Sequence, residues 1–527
     1  MIEDPTSATI NRELAPDVLR VPDAETYIKQ LQEMGLDQYV LAYQKVREVA
    51  EAIQKAGGKA LLVGGAVRDM LWGKIAKDYD LEIYGLAASE VEKIVAPLGK
   101  VSEVGKAFGI LKIFIADGIE IDVSLPRTDS KIGVGHKGFE IKTDPRMSVA
   151  DAARRRDFTI NSMAADPLTG ELFDPFDGRR DLRERRLKVT DPERFRDDPL
   201  RVLRGIQFMS RFGLEIDAET VPILQEMAPQ LKELPKERIL EEWKKLLLKS
   251  EKPSLGLAAA MTLGILREIH PELPPLKETP QEPDWHPEGD AWIHTLMVID
   301  EAAKIVRREN LNAEQSFVIL VTALCHDLGK PKVTELRDGK IISHKHEEAG
   351  EEPTIKFLET LGVDNLTRDK VVKLVVNHLA PALFFTDETV RGAKVSDGAI
   401  RRLAKRIHPA TIQELIFIAE ADHLGHGFAA GFEISEQVSL DPTKFEAGPW
   451  LLGRARALDV EASKPADLTQ GRDWLALGFK PGKTFGRLIQ LSNELRDEKG
   501  FTREQVFQAV ANINNIDAAI AKLESFL

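Results

Sequence analysis

A chain of 527 residues with 43% hydrophobic and 30% charged content is too long for one ordinary core and too polar for a membrane-embedded protein, so several globular domains are expected. Its formal charge of −13 argues against a nucleic-acid coat protein but leaves room for an enzyme whose basic residues gather on one face. The single cysteine, Cys325, excludes an internal disulfide framework and a cysteine-built zinc site, so metals must be held chiefly by Asp, Glu or His.

The opening MIEDPTSATINREL is acidic and polar where a signal peptide would be basic and then apolar, and no apolar run is long enough to cross a bilayer; a cytoplasmic protein is expected. Residues 1–55 read as a helical lead-in, because apolar residues recur at helical spacing from about Asp23 to Lys55 and the run ends at Gly57-Gly58. Residues 56–150 read as a small mixed α/β domain. Its predicted strands are Ala60–Val63, Asp80–Ile83, Gly109–Ile115 and Ile119–Val123, with helices after Val67 and near Ser89–Leu98. Between Arg127 and Val149 a polar, Gly-containing, non-periodic stretch predicts a mobile loop beside a functional site. Beyond Val149 helix is expected almost throughout, in segments 151–275, 285–440 and 441–527, broken at the proline-rich His270–Gly289 and around Asp441–Ala466.

Three constellations carry chemistry. In the first, Asp78 and Asp80 of DYDLE stand at i and i+2, so on a strand both carboxylates leave one face and can share divalent ions. Oxygen ligands at that spacing suit Mg²⁺, which takes the rest of its shell from water and substrate phosphates. Gly64-Gly65 follows a strand and precedes a helix, so its backbone can approach a triphosphate. A third carboxylate is expected from a neighbouring strand, with Asp122 the first candidate and Glu120, on the same face, the second. The order strand, Gly-Gly, helix, Asp-x-Asp strand resembles nucleotidyltransferases of the DNA polymerase β type. Two metals so held would activate an attacking hydroxyl and steady leaving pyrophosphate.

The second constellation is ARRRDFTINSMAADPLTGELFDPFDG, with Arg155, Arg156, Asp157, Asn161 and Asp177-Gly178. Guanidinium groups clamp phosphate and ribose, and Asp157 can orient one of them. Further on, FRDDPLRVLRGIQF places Asp198 and Arg201 at i and i+3 around Pro199, a good helix starter. Asp198 as a plain N-cap with Arg201 as its ion partner is the structural alternative. The sharper reading is base selection. Cytosine and adenine both present an amine donor beside a ring-nitrogen acceptor, which a carboxylate beside a guanidinium can pair, whereas guanine and uracil would leave buried groups unpaired.

GGAVRD, DYD, RRDFTINSMA, DPFDG and DDPLRVLRGIQF, in this order, resemble the bacterial-type (class II) tRNA nucleotidyltransferases, the CCA-adding enzymes, and the related bacterial poly(A) polymerases, over roughly Ala60 to Leu248. The resemblance implies an α+β protein: a polymerase-β-like head with a mixed sheet, then helical neck, body and tail domains that grip tRNA. It implies that Asp78 and Asp80 bind Mg²⁺ with Asp122 assisting. It further implies that Gly64, Gly65, Arg68, Arg155, Arg156, Asp157, Asn161 and Arg204 serve nucleotide binding, and that Asp197, Asp198 and Arg201 form the base-selecting motif. That motif usually opens with Glu-Asp, and here it is Asp197-Asp198. GHKGFE, Gly135 to Glu140, is similar to the loop these enzymes use when switching from C to A addition, and Gly471 to Ile489 to a closing motif of the superfamily.

The third constellation scatters His294, adjacent His326-Asp327 and Asp422 through helical sequence, where packing could converge them on one divalent ion. His344 or His346, with His378, could hold a second. The pattern resembles HD-domain phosphohydrolases, which implies a transition metal (Ni, Mn, Co or Fe) and phosphatase or 2′,3′-cyclic phosphodiesterase activity. The expected function is therefore template-independent addition of CCA to tRNA from CTP and ATP, with hydrolysis at the HD site. The rivals are a poly(A) polymerase, a partial CC- or A-adding enzyme, an HD phosphohydrolase with an RNA-binding head, and a tRNA-binding scaffold. The sequence leaves the oligomeric state open.

Overall fold

The computed structural model describes residues 21–76, 78–102, 110–115, 119–131, 139–426, 444–482 and 484–527. The chain forms two compact units, Met1–Glu242 with Thr262–Glu268, and Trp243–Met261 with Ile269–Leu527.

In the first unit the lead-in is two helices, Ala24–Glu33 and Asp37–Lys55, separated at Gly35, whose φ of +70° ends the first. Asp23 caps that first helix by accepting from Thr26 N at 2.8 Å. Tyr27, Tyr43 and Tyr79 are fully buried and meet edge to face at centroid distances of 4.7 and 5.4 Å, which pins both helices to the sheet.

The strands are β1 (Lys59–Val63), β2 (Tyr79–Tyr84), β3 (Lys100–Ser102), β4 (Ile110–Ile115), β5 (Ile119–Ser124), β6 (Arg127–Lys131), β7 (Phe139–Thr143), β8 (Ala164–Ala165) and β9 (Leu172–Phe173). Seven of them form one sheet in the order β3-β4-β5-β2-β1-β8-β9, in which β2 and β5 run parallel and every other neighbouring pair antiparallel. The central strand β1 is a nearly continuous buried apolar run, whereas β2 alternates, with Tyr79, Leu81 and Ile83 buried and Asp80 and Glu82 between them. The sheet also takes in β8 and β9, from beyond residue 150.

The loop expected between Arg127 and Val149 is corrected: β6 and β7 pair antiparallel from Arg127↔Thr143 to Lys131↔Phe139. The signal was the period-two alternation of FEIKT, which outweighs the local polarity. Of the GHKGFE stretch, Gly135 to Gly138 lie outside the described residues.

The second unit is mainly helical. Helix Ala313–Cys325 is buried from Ser316 to Cys325 and packs among Ala291–Arg308, Asn365–Val375 and Ile412–Leu424. A hairpin, Glu335–Arg337 with Lys340–Ile342, interrupts the helices. It turns at Asp338-Gly339, where both residues have positive φ, 52° and 77°. Toward the C-terminus Trp474, Leu488, Leu491, Leu495 and Val506 form a separate core. Among the described residues no helix is long and apolar enough to cross a membrane.

His270 lies in this unit fully buried, against Trp243 at 4.9 Å and Phe357 at 4.6 Å, and neither ring nitrogen has a hydrogen-bond partner. Burial lowers its pKa from 6.5 to about 3. The folded state therefore stays unprotonated between these values while the unfolded chain takes up a proton, so stability falls as pH drops through that window. The slope approaches ~1.4 kcal/mol per pH unit. Urea midpoints measured at pH 7 and pH 5 should fall further for the wild type than for His270→Leu; equal falls would refute this source of acid sensitivity.

Candidate active and metal-binding sites

Alternation along β2 sends Asp80, Glu82 and Tyr84 to one face, with Asp78 immediately before the strand. Asp80 pairs in register with Asp122 of the parallel strand β5, and with Val63 of β1 on the other side. Lys112 of β4 lies opposite Asp122, with its Nζ 3.3 Å from Asp122 Oδ1 and 3.0 Å from Glu120 Oε2, so the two candidate third acids share one cation. Part of Asp80 remains open to solvent, yet the surrounding protein desolvates its carboxyl and pushes its pKa up. Arg156 and Lys112 oppose that rise, while the charges of Asp122 and Asp78 add to it. This oxygen-only donor set with mutual repulsion fits a hard divalent cation.

Gly64 has φ +71°, and a Cβ there would lie 3.1 Å from Arg156 Nη1 and 4.0 Å from Asp80 Oδ2. A bare backbone thus lies between a guanidinium and an acid, as approach of a phosphate chain requires. The helix that follows, Gly65–Leu71, is seven residues long.

Behind this surface runs a saturated network. Arg68 is buried, donating from Nη1 to Asn161 Oδ1 at 2.7 Å and from Nε and Nη2 to Asp69 Oδ1 at 2.9 and 2.7 Å. Asn161 Nδ2 donates to Asp157 Oδ1 at 3.1 Å, and Arg204 grips Asp157 Oδ2 through Nε at 2.8 Å and Nη2 at 2.6 Å. Burial alone would raise the Asp157 pKa, but Arg204 and the Asn161 and Phe158 hydrogen bonds lower it to about 2. Arg68, Asp157 and Asn161, expected to serve nucleotide binding, are thus buried and engaged with one another, and the half-buried Arg204 joins them through Asp157.

Arg155 and Arg156 converge instead on Glu82, a residue that the sequence reading did not single out. Arg155 Nη2 donates to Glu82 Oε1 at 2.9 Å, Arg156 Nη2 lies 3.7 Å away, and Tyr84 Oη donates to Oε2 at 2.7 Å. Burial would raise the Glu82 carboxyl, but Arg156 and Arg155 hold it below its ordinary value. The available signal was its position two residues beyond Asp80 on a predicted strand.

The Asp198–Arg201 pairing is not what the structure presents. Helix Leu200–Phe212 begins after Pro199, and Asp198 accepts from Leu200 N at 3.1 Å through Oδ1 and from Arg238 Nη2 at 2.9 Å through Oδ2. Arg201 donates to two main-chain carbonyls, Arg194 O at 2.7 Å and Arg155 O at 2.6 Å. Pro199, not Asp198, is the N-cap of this helix, and the ion partner of Asp198 is Arg238, not Arg201, while Asp197 N donates to Arg194 O at 3.2 Å. In DPFDG, Asp174 accepts from Gly178 N and Arg179 N at 2.7 and 2.9 Å, and a Cβ on Gly178 would meet Thr159 O at 2.1 Å. That motif locks the turn carrying Asn161.

In the second unit His294 enters on helix Ala291–Arg308, His326-Asp327 follows helix Ala313–Cys325, and Asp422 comes from Ile412–Leu424. His294 Nε2 is 2.9 Å from Asp422 Oδ1, and His326 Nε2 is 3.6 Å from the same oxygen and 3.2 Å from Asp327 Oδ2. His346 Nε2 is 3.4 Å from Asp327 Oδ1 and 3.3 Å from His378 Nε2. His346 belongs to this group and His344, which is exposed, does not. Gly329 permits the approach, since a Cβ there would meet His346 O at 1.9 Å. Burial would raise Asp327 and Asp422, but His326 and Lys330 hold the first, and His294 and His326 the second, well below the usual carboxylate range. His326 Nε2 and Asp327 Oδ1 are buried without a hydrogen bond, as metal-directed donors would be, while Asp327 Oδ2 pairs with Lys330 Nζ at 2.7 Å. Two overlapping groups, His294, His326 and Asp327, and Asp327, His346 and His378, have the nitrogen and oxygen donors that divalent transition metals accept.

A mixed-sheet head carrying paired acids beside an uncovered glycine turn, joined to helices bearing an interior histidine–aspartate cluster, defines a nucleotidyltransferase coupled to an HD domain. The family models that match are the poly A polymerase head domain over residues 60–188, the probable RNA and SrmB-binding site of polymerase A over 213–276, and the HD domain over 291–424. A multifunctional CCA protein of Xanthomonas campestris is 35% identical over 376 residues, covering 70% of this chain and 85% of its own. Among solved structures, the Bacillus stearothermophilus CCA-adding enzyme in complex with CTP matches at TM-score 0.57 and 20% identity, covering 92% and 97% of the two chains. The Thermotoga maritima CCA-adding enzyme complexed with tRNA matches at TM-score 0.54 and 17% identity, covering 97% and 100%. The chain belongs to the multifunctional CCA protein family.

Proposed function

We propose that this protein adds C, C and A to the 3′ end of tRNA from CTP and ATP, releasing pyrophosphate and reading no template. The observation that carries this reading is the in-register Asp80–Asp122 pair beside Gly64 and the Arg155–Arg156 guanidinium groups. Asp78, Asp80 and Asp122 would hold Mg²⁺, which lowers the pKa of the attacking 3′-hydroxyl and neutralises charge on the leaving group. Arg156, next to Gly64, offsets phosphate charge, and Glu82 keeps both guanidinium groups aimed. Asp198 and Arg201 read the base edge, Arg238 and the Arg155 carbonyl holding each in place.

The proposed layout is a lead-in (1–55), head (56–150), neck (151–275), HD body (285–440) and tail (441–527), the helical parts gripping tRNA by shape and phosphates. In this reading the protein acts in the cytoplasm. Purified protein with tRNA lacking its terminus, labelled CTP and ATP should give products three nucleotides longer. Long tails from ATP alone would support the poly(A) alternative instead.

The second reading, hydrolysis at the HD site, is favoured by the buried Asp327 oxygens that face two histidine groups. A borderline transition metal (Ni, Mn, Co or Fe) suits the imidazole-rich donors, and the substrate class is phosphomonoesters and 2′,3′-cyclic phosphates.

Gly64→Ala tests the uncovered turn. The substitution places a side chain at positive φ, which costs about 1–2 kcal/mol, and crowds Arg156. A tenfold or greater fall in kcat/KM for CTP is expected, with hydrolysis at the HD site unchanged. Steady-state kinetics on both activities decide it, and an unaltered kcat/KM would count against a phosphate path over Gly64.

A further inference from the structure

The proline-rich stretch that the sequence presents as a break contributes a buried acid to the HD site. Glu288 is 3% exposed at its side chain, and its Oε1 accepts from His286 Nδ1 and from His294 Nδ1, both at 2.9 Å. The other three histidines of the cluster are tied through Nδ1 to a main-chain carbonyl three residues earlier. His326 uses Ala323 O at 2.8 Å, His346 uses Ser343 O at 2.9 Å and His378 uses Val375 O at 2.7 Å. The equivalent acceptor for His294 would be Ala291 O, which Thr295 Oγ1 occupies at 2.7 Å. Glu288 supplies the acceptor in its place.

A carboxylate only accepts, so Glu288 keeps a ring proton of His294 on Nδ1, and Nε2, which donates to Asp422 Oδ1 at 2.9 Å, is the nitrogen whose lone pair a metal would take in place of the proton given to Asp422. An anionic acceptor also makes the imidazole a stronger donor to a metal than a carbonyl does. The second donor, His286, stacks on His426 at 4.7 Å and 23°, and the Glu288–His294 hydrogen bond stands apart from it.

We propose that Glu288 is a positioning residue of the HD metal site, setting the tautomer and donor strength of His294. The inference rests on the reading of His294 as a metal ligand. Co²⁺ serves as the probe, titrated into the full-length chain against a chelator while the visible d–d spectrum is recorded. Glu288→Gln, which keeps the side-chain volume but removes the charge, should weaken Co²⁺ binding about 10- to 100-fold. His286→Phe, which leaves the Glu288–His294 hydrogen bond in place, should bind within about threefold of the wild type, in keeping with a fixed second contact. If both variants weaken alike, the cluster acts only by packing and the proposal fails. If Glu288→Gln keeps wild-type affinity and spectrum while His294→Ala loses them, the proposal also fails but the metal site stands. If His294→Ala binds as the wild type does, the ligand reading itself falls.

Discussion

Asp80→Asn is expected to lower the rate of nucleotide addition by on the order of 10³-fold, about 4 kcal/mol of transition-state stabilisation, without unfolding the head. Asp80 stands in register with Asp122 and next in line after Asp78, so it is the acid that both others depend on to complete an oxygen cage. Its neutral replacement also removes a charge that the fold disfavours. The folded carboxyl has a raised pKa, so its ionised form at pH 7 destabilises the native state relative to the unfolded chain. The thermal midpoint of the variant should therefore equal or slightly exceed that of the wild type. Single-turnover incorporation of CTP, read beside a melting curve, separates loss of chemistry from loss of fold. Incorporation surviving within tenfold would remove the paired acids from the mechanism.

The second large effect is expected at Asp327. Its Oδ2 lies 3.2 Å from His326 Nε2 and 2.7 Å from Lys330 Nζ, and its Oδ1 lies 3.4 Å from His346 Nε2, so one carboxylate serves two ligand groups. Asp327→Asn should strip metal from both, with hydrolysis of a 2′,3′-cyclic nucleotide falling at least 10³-fold, on the order of what a charged ligand contributes. Metal content after dialysis and hydrolysis rate are the two readouts, while CCA addition by the same protein should stay within about twofold, the expectation for sites that share no residues. Hydrolysis that persists in Asp327→Asn, or collapses in Asp80→Asn, would contradict this division of labour.

These two sites differ in how far the residues alone reveal them. The Asp78–Asp80 spacing and the turn at Gly64 were legible because strand alternation and backbone freedom are local properties. That the candidate Asp122 stands beside Asp80 was also legible, since a predicted strand bearing period-two acids fits the neighbouring position that β5 occupies. Partner choice was not. Asp198 pairs with Arg238, forty residues on, and such ion pairs follow from tertiary packing that no local pattern encodes. The two-residue strands β8 and β9 are too short for any periodicity to register. The Asp338-Gly339 hairpin had a local turn signal that helical surroundings masked. Between His344 and His346 the sequence could not decide, because the choice depends on the close approach of chain that Gly329 permits. Glu288 lay in what reads as linker, where burial cannot be inferred from composition.

The saturated chain Asp69–Arg68–Asn161–Asp157–Arg204 constrains how relatives of this protein can diverge. Altering any one link strands an interior charge or amide, a loss of several kcal/mol, so single replacements there are purged before a second can follow. Positions 68 with 161, and 157 with 204, should consequently change together or stay fixed across descendants, leaving a covariation signature in the lineage.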